Sequence, residues 1–378
     1  MQKKIIVLAL AAAFSAPAFA ADTTVYGVAD AVVANVQASG TKSDTLVMSG
    51  GLGGSRLGVK VSEDLNDGMK AAVVLEYGLD VAISDSLPAA RQEMLALSGG
   101  FGTVAAGYLQ TTGYDFSRFD PTSGSLVSPL HNITGKSFMI GNNGSLKRAS
   151  RALAYITPDM GGLTVALNYS TDAAGATGNL GLTDASVADK STAYLVSVNY
   201  VAGPLAAAIV HANHTAASTA AVAAVASSGT IGTTPIVVGS AAVAAKVGAK
   251  TTETAIGASY NLEVVKLFAT YQISKVDTNS DSNNVMSISA VAPVGPGSVA
   301  LTYAKATMTS TAAEDDVSGM TAAWLQGLNK TTTFYAAYSR MSQGDATNAY
   351  SVANNALSGK VAAGTGSSMI AAGLSKKF

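Results

Sequence analysis

Short segments in which apolar and polar residues alternate recur along most of the chain. In LTVALNYS (163–170), Leu163, Val165 and Leu167 alternate with small or polar residues, and 264–275 has the same period. A period of two is typical of strands whose two faces meet different environments. The pattern predicts about sixteen strands, near 23–36, 54–64, 68–78, 90–98, 102–109, 147–157, 162–170, 191–200, 204–214, 252–261, 264–275, 283–292, 297–307, 316–327, 331–341 and 366–378.

The connections between these strands alternate between short and long. Tight turns such as 65–67 and 99–101 recur at every second connection, whereas 37–53, 110–146 and 215–251 are long. The strands have about the 9–11 residues that a tilted membrane strand needs. Short turns on one side and long loops on the other are typical of outer-membrane barrels. We therefore predict an all-β fold, a transmembrane antiparallel up-and-down β-barrel of about sixteen strands.

The composition agrees with strands that face lipid. Mean hydropathy is +0.30, and hydrophobic residues make up 48% of the chain against 12% charged residues. After residue 20, no run reaches the roughly 18 apolar residues that a membrane helix needs. Such a chain either buries a large core or turns many strands towards lipid. A secreted soluble β-protein, such as an adhesin, is the alternative that this pattern leaves open.

The chain begins with the features of a secretory signal peptide. Lys3 and Lys4 form a basic region, 5–14 is apolar, and Ala18 and Ala20 frame a small-residue cleavage site. This arrangement is typical of a signal peptide that is removed on export. We predict a signal peptide over residues 1–20 and a single barrel domain over 21–378.

Charge and residue usage exclude several classes of function. The formal net charge is −1, so no strong field for nucleic acid is expected. Cysteine is absent, which rules out disulfides and zinc–thiolate sites. His211 and His214 are three residues apart on a strand and face opposite sides, which disfavours a shared metal ion. No catalytic grouping is evident, so we predict a non-enzymatic protein without cofactor or metal.

The last strand runs to the final residue. In GSSMIAAGLSKKF, the mostly apolar series Ser368, Ile370, Ala372, Leu374 ends on Phe378. A soluble domain usually lets its terminus fray. The pattern indicates that the fold needs this strand to its end.

Several stretches resemble the general porins of Gram-negative bacteria, in particular the trimeric diffusion type of β-proteobacteria. They are VYGVADA (25–31), SRLGVKVSEDLNDGMKAAVVLEYGLD (55–80), RQEMLALSGGFGTVAAGYLQTTGYDF (91–116) and RASRALAYITPDMGGLTVALNYS (148–170). The resemblance implies a homotrimer in the cell outer membrane, in contact with its lipid and lipopolysaccharide. It also implies a third external loop, about 107–147, folded into the lumen, and it makes Phe378 the signal for outer-membrane assembly.

The same resemblance implies basic side chains on the wall that face this loop. By alternation, Arg56 and Lys60 share a face opposite Leu57, and Arg148 lies opposite the face of Leu153. Arg91 takes the corresponding position at the start of its strand. On the loop, Asp115 and Asp120 are expected to oppose this cluster. The alternative is that all of these are ordinary solvated lumen residues.

The predicted function is passive diffusion of small hydrophilic solutes and ions through a water-filled channel with a weak preference for anions. A substrate-specific outer-membrane channel and an exported adhesive β-protein are the alternatives. Segment 215–251 is expected to be an external loop with at most a short helix. The acidic run 314–316 is also expected in an external loop.

Overall fold

The computed structural model describes residues 21–83, 89–173, 190–218, 225–231, 234–240, 248–278, 282–309, 314–344, 350–353, 357 and 361–378. The predicted signal peptide, 1–20, lies outside the described residues. Within the described part of the chain, no helix has the length and apolar character to cross a membrane.

The alternating segments form long antiparallel strands. The strands are β1 (Asp22–Ala38), β2 (Asp44–Ser49), β3 (Arg56–Asp64), β4 (Lys70–Gly78), β5 (Ala89–Gly99), β6 (Gly102–Gln110), β7 (Arg148–Ile156), β8 (Leu163–Ser170), β9 (Thr192–Ala202), β10 (Leu205–Thr215), β11 (Val225–Ile231), β12 (Thr234–Ser240), β13 (Lys250–Asn261), β14 (Lys266–Val276), β15 (Ser282–Val294), β16 (Gly297–Thr309), β17 (Glu314–Gly327), β18 (Thr332–Gln343) and β19 (Gly366–Lys377). The helices are α1 (Thr112–Asp115) and α2 (Pro129–Ser137), and 3-10 turns cover Asn66–Gly68 and Phe116–Phe119.

Sixteen of these strands close into one antiparallel barrel, as predicted. Each wall strand pairs with its neighbours in sequence, and β1 closes the ring by pairing with both β3 and β19. In this closure Tyr26 lies opposite Gly58, and Ala34 lies opposite Ala371. Closure gives each of the sixteen wall strands a partner on both sides, so none of them presents to lipid a free edge that lipid could not satisfy.

The two faces of the wall differ in chemistry. On one face the side chains are exposed and apolar, as for Leu95, Ile288 and Leu301. The residues that alternate with them are buried, and they include polar side chains such as Ser197 and Gln272. An apolar outer face and a polar inner face are typical of a barrel in lipid. A soluble protein would bury most of its large aliphatic side chains, so the exposed apolar face disfavours the adhesin alternative.

The predicted strands match the wall strands closely, and the differences lie in the long connections. Because β1 extends to Ala38, the predicted loop 37–53 contains β2, which pairs with β1. Within the described residues of the predicted loop 215–251, β11 and β12 form a hairpin. The acidic run 314–316 is not a loop, because it opens β17 and pairs with the end of β16.

We predict that deleting Phe378 impairs folding of the barrel. The backbone N–H of Gly27 donates to the carbonyl of Phe378 at 2.9 Å, and the N–H of Phe378 donates back at 3.1 Å. Losing both bonds leaves backbone groups of β1 unpaired, at a cost of about 1–3 kcal/mol each. The measurement is the refolded fraction in lipid vesicles, followed by heat-dependent mobility in gels. Phe378→Leu keeps the backbone pairing and is the control. Refolding of the deletion at the wild-type yield contradicts the prediction.

Candidate functional site

A group of charged side chains lies on the inner face of β3, β4 and β5. The carboxylate of Glu76, which is 5% exposed, accepts from Arg91 Nε at 2.6 Å. It also lies 3.7 Å from Arg56 Nε, and the hydroxyl of Tyr26 donates to it at 3.1 Å. Glu76 therefore holds both arginines on one side of the lumen, and we call these four residues the Glu76 cluster.

Local backbone geometry makes this cluster possible. A Cβ on Gly58 would lie 2.3 Å from the Tyr26 ring, so glycine at that position lets the ring cross β3 towards Glu76. On β5, the pairing with β4 shifts between Glu76 and Tyr77, which leaves Arg91 in a bulge. A bulge re-aims a side chain, and here it brings the Arg91 guanidinium to Glu76. Strict alternation would have placed Arg91 with the outward Leu95.

The link between β2 and β3 supports Arg56. The buried carboxylate of Asp30 accepts from the hydroxyl of Tyr335 at 2.6 Å and from the backbone N–H of Gly53 at 3.2 Å. Gly51 fits against this pair only because it has no side chain, since a Cβ would lie 2.1 Å from the Tyr335 hydroxyl. Arg56 Nη1 then donates to the carbonyl of Gly54 at 2.9 Å. The glycine-rich stretch 50–54 is thus a support for the wall arginine.

Two further cations extend the cluster at the start of β7. The Arg148 guanidinium carbon lies 5.2 Å from the centroid of the Tyr114 ring in α1. The Lys147 amine donates to the side-chain oxygen of Asn143 at 3.1 Å. Burial lowers the pKa of Lys147, and the positive charges of Arg148 and Arg91 lower it further. The three predicted arginines therefore come together, and Lys147 is a fourth cation that the sequence reasoning missed.

Lys60, the remaining basic prediction, lies on the same face but outside the cluster. It is exposed and follows Gly58 along β3 towards the turn Asn66–Gly68. It therefore adds positive charge nearer the short-turn end of the barrel rather than at the Glu76 cluster.

The predicted loop residues Asp115 and Asp120 have different positions. Asp115 is exposed, and its carboxylate accepts from Gln110 Nε2 at 3.0 Å. Asp120 is buried, and its carboxylate accepts from the backbone N–H and hydroxyl of Thr122, both at 2.9 Å, and from the Ser128 hydroxyl at 2.5 Å. Burial raises the pKa of Asp120, and these donors offset part of the rise. Asp120 was expected to face the arginines across the lumen. Its carboxylate instead accepts hydrogen bonds from Thr122 and Ser128 of the same loop and stabilises the fold of that loop.

The helices and the 3-10 turn of segment 111–147 pack against the inner face of β8–β18, while Tyr114 at one end of the segment and Lys147 at the other lie beside Arg148. Helix α1 contacts β8–β10, the turn Phe116–Phe119 contacts β13 and β14, and α2 contacts β15–β18. These contacts agree with the expectation of an inward-folded third loop. The two helices and the turn thus cover the inner face of β8–β18. The basic inner face of β3–β7 is not covered by them.

Polar anchors hold this segment in place. The carboxylate of Glu253, which is 1% exposed, accepts from the backbone N–H groups of Met139 at 2.6 Å and Ile140 at 3.2 Å. Near α2, the hydroxyls of Thr321 and Ser339 both donate to the carbonyl of Val127. These bonds satisfy loop backbone groups that would otherwise be buried without partners.

Residues of the connection before β19 pack on the same segment. Tyr350, Val352 and Leu357 are buried in one apolar cluster with Ile133 of α2 and Val317 of β17. The hydroxyls of Tyr350 and Ser137, the last residue of α2, are hydrogen-bonded. The side of the lumen lined by β15–β19 is therefore filled with packed side chains.

Sequence signals existed for some of the missed residues. In VVLEYG, Glu76 follows the outward Leu75 and so faces the interior, and Glu253 likewise occupies an inward position of β13. Alternation alone therefore puts both carboxylates inside the barrel. What they bind depends on the path of the 111–147 segment and on the β5 bulge, which alternation does not give.

Comparisons with known proteins agree with this architecture. A family model described as Gram-negative porin matches residues 7–346. Outer membrane porin protein 32 of Delftia acidovorans is 28% identical over 391 residues, with 100% of both chains covered. Major outer membrane protein P.IB of Neisseria gonorrhoeae is 33% identical over 192 residues, covering 45% of this chain and 48% of the relative.

Solved structures give the same result. An anion-selective porin from Comamonas acidovorans superposes with a TM-score of 0.73 at 25% identity, covering 95% of this chain and 100% of that chain. OmpT of Vibrio cholerae, in a trimer form, superposes with a TM-score of 0.63 at 16% identity, covering 95% of this chain and 100% of that one. The second similarity shows the shared fold alone.

We predict that Glu253→Ala loosens the loop without unfolding the barrel. The variant leaves the N–H groups of Met139 and Ile140 buried without an acceptor, at a cost of about 1–3 kcal/mol each. The expected result is greater open-channel current noise in planar bilayers. Glu63→Ala removes an exposed carboxylate at the end of β3 and is the matched control. Equal noise in Glu253→Ala and wild type would show that the anchor is dispensable.

We also predict that acid loosens the loop through His131. The Nδ1 atom of His131 is buried, and burial, followed by the charge of Lys147, lowers the pKa from 6.5 to about 4. An imidazole with a depressed folded pKa stabilises the loop above pH 6.5 and loses that contribution as pH falls towards about 4. Current noise should rise over this interval in wild type and rise less in His131→Asn. His211→Asn, on the outer side of β10, is the control. Identical pH profiles for wild type and His131→Asn contradict the prediction.

Proposed function

Because the chain belongs to the Gram-negative porin family, we propose that the free space beside its basic wall is the route by which small hydrophilic solutes and ions diffuse passively across the outer membrane. The observation that supports this route is that the inner face of the barrel is divided into a side covered by loop segments and a side that carries basic residues. Loop segments cover the side of β8–β18, whereas the Glu76 cluster, Lys147 and Arg148 lie on the side of β3–β7. A sixteen-stranded barrel is wide enough to leave a water-filled passage between them.

The local charge supports a weak preference for anions. Arg56, Arg91, Lys147 and Arg148 bring positive charge to one wall, and only Glu76 opposes it within the cluster. A ring or cluster of lining charges sets channel selectivity, and the slightly negative net charge of the whole chain acts from farther away. One relative of similar fold is named an anion-selective porin.

The roles of individual residues follow from their positions. Arg56, Arg91 and Arg148 line the narrow part, and Lys60 extends the basic surface towards the short-turn end. Asp115 is exposed on the loop and is hydrogen-bonded to Gln110 at the end of β6. It therefore sets a negative charge of the loop against this basic surface, and passing ions meet a field between the loop and the wall. No bond chemistry is involved, so the protein acts as a channel and not as an enzyme.

Assembly completes the proposal. Residues 1–20 direct export, and Phe378 marks the chain for insertion into the outer membrane. There the mature chain, 21–378, contacts membrane lipid and lipopolysaccharide. A homotrimer is proposed because a Vibrio cholerae protein of the same fold has a trimer form.

The test is the reversal potential of the reconstituted channel in a planar bilayer under a KCl gradient. We expect a potential of the sign that chloride selectivity gives. Arg91→Gln and Arg56→Gln should each lower the chloride-to-potassium permeability ratio by about twofold or more, since each removes one lining charge. Lys275→Gln, which removes an exposed cation from the outer face of β14, should leave the ratio unchanged.

Two outcomes oppose the proposal. Correctly folded protein without conductance would contradict the channel function itself. A conducting protein that prefers potassium, or whose ratio responds equally to Lys275→Gln and Arg91→Gln, would contradict the role of the basic wall.

A further inference from the structure

The loop segment inside the barrel carries a polar recess on its exposed side. The recess has a volume of about 510 Å³ and is lined by Tyr114, Asp115, Ser117, Arg118, Ser123 and Asn142. Pockets of about 300–1,000 Å³ are typical of sites that hold small molecules. The ring of Tyr114 also lies against the Arg148 guanidinium. The recess therefore adjoins the basic wall along which solutes pass in the proposed function.

Two opposite charges lie in this recess. Asp115 and Arg118 are both exposed, and the backbone stays helical between them, through the end of α1 and the turn Phe116–Phe119. Residues three apart on a helical backbone project on the same side. Among the ion pairs within the described residues, none joins Asp115 to Arg118. Each charge is therefore accessible to a partner from solution.

The guanidinium of Arg118 is positioned by the protein itself. Its Nη2 donates to Asn199 Oδ1 at 2.8 Å, and its central carbon lies 4.8 Å from the centroid of the buried Phe119 ring. Asn199 is oriented in turn, because its Nδ2 donates to the Ser197 hydroxyl at 2.9 Å. A guanidinium has five N–H donors, so the bond to Asn199 leaves donors for a two-pronged contact with a carboxylate.

Asp115 is held at one of its two oxygens. Gln110 Nε2 donates to Oδ1 at 3.0 Å, which leaves Oδ2 for a donor from solution. The other carboxylate at the recess, Asp120, is buried and accepts from Thr122 and Ser128. Asp115 is therefore the carboxylate that a solute can reach.

Uncharged polar groups complete the recess. The side chains of Ser117, Ser123 and Asn142 are partly exposed, and their hydroxyl and amide groups can both donate and accept. Gly124, at φ +81°, makes room for Asn142, since a Cβ there would lie 2.8 Å from Asn142 Nδ2. The recess thus combines a cation, an anion and neutral hydrogen-bonding groups.

We propose that this recess is a transient binding site for zwitterionic solutes of the free α-amino acid type, with the solute carboxylate at Arg118 and its ammonium group at Asp115. The assignment rests on the proposed diffusion function and adds a class of solute to it. A solute with a single charge pairs with one of the two residues and is repelled by the other, whereas a zwitterion pairs with both. Because the recess is open to the lumen, binding is weak enough for release, as transport requires.

The first test compares three small solutes in the wild-type channel. The single-channel KCl current is recorded while free L-alanine, L-alaninamide or glycerol is added. L-Alaninamide lacks the carboxylate, and glycerol lacks both charges. The proposal predicts a saturable fall in current with L-alanine, at concentrations several-fold below those at which the other two act. Equal effects of the three solutes overturn it.

The second test removes each charge in turn. Asp115→Asn and Arg118→Gln should each raise the L-alanine concentration for the half-maximal effect by roughly two- to fivefold, as expected for the loss of an exposed charge pair. Glu63→Gln and Lys275→Gln remove an exposed carboxylate and an exposed cation outside the recess and should leave that concentration unchanged. The same response to L-alanine in all four variants contradicts the proposal.

Two controls separate this site from the channel as a whole. L-Lactate is an anion that the basic wall attracts, so its effect should not weaken in Asp115→Asn, which removes a like charge. The KCl current of each variant shows that its barrel has folded. A channel that conducts with a chloride preference but does not respond to L-alanine overturns the amino-acid site alone, whereas folded protein without current contradicts the proposed function.

Discussion

The backbone hydrogen bonds of the sheet determine the rest of this structure. In lipid, an unpaired N–H or C=O has no water to bind, so a sheet that crosses the membrane must close on itself. Here β1 pairs with β3 on one side and with β19 on the other, and the last residue, Phe378, exchanges hydrogen bonds with Gly27. The alternation along every strand follows, because closure gives each strand one lipid-facing side and one inner side.

Closure of sixteen strands creates a second requirement, because the interior is too wide for wall side chains to fill. Loop segments occupy part of it, and their backbone groups need partners there. Buried acceptors supply them: Glu253 binds the loop at Met139 and Ile140, and Asp30 binds the link before β3. The positions of these buried acceptors therefore determine which side of the lumen is filled by loop segments and which side carries the exposed basic residues. In the function that we propose, transport depends on that asymmetry, since solutes would pass beside the wall that carries the arginines.

The sequence predicts the wall far better than the interior. Strand positions follow from a period of two and from the alternation of short and long connections, because lipid and water impose that pattern locally. The faces of Arg56 and Lys60 follow in the same way. Arg91 depends on a bulge, and a register shift between β6 and β7 separates Arg148 from the rest of its strand, so alternation does not fix either position. Asp120 was expected to oppose the arginines, but Thr122 and Ser128 bind it inside the loop.

The central claim is that the passage runs between the exposed side of the loop and the basic wall, while the side behind α2 is closed. The most direct measurement is modification of single cysteines by a small sulfonated thiol reagent during current recording, because the native chain has no cysteine. Asp115→Cys lies on the exposed loop surface, and Val317→Cys replaces an inner-face residue that is 0% exposed beneath the packed segments. We expect a stepwise fall in current for Asp115→Cys and no change for Val317→Cys. Equal modification at both positions, or modification at 317 alone, would contradict it.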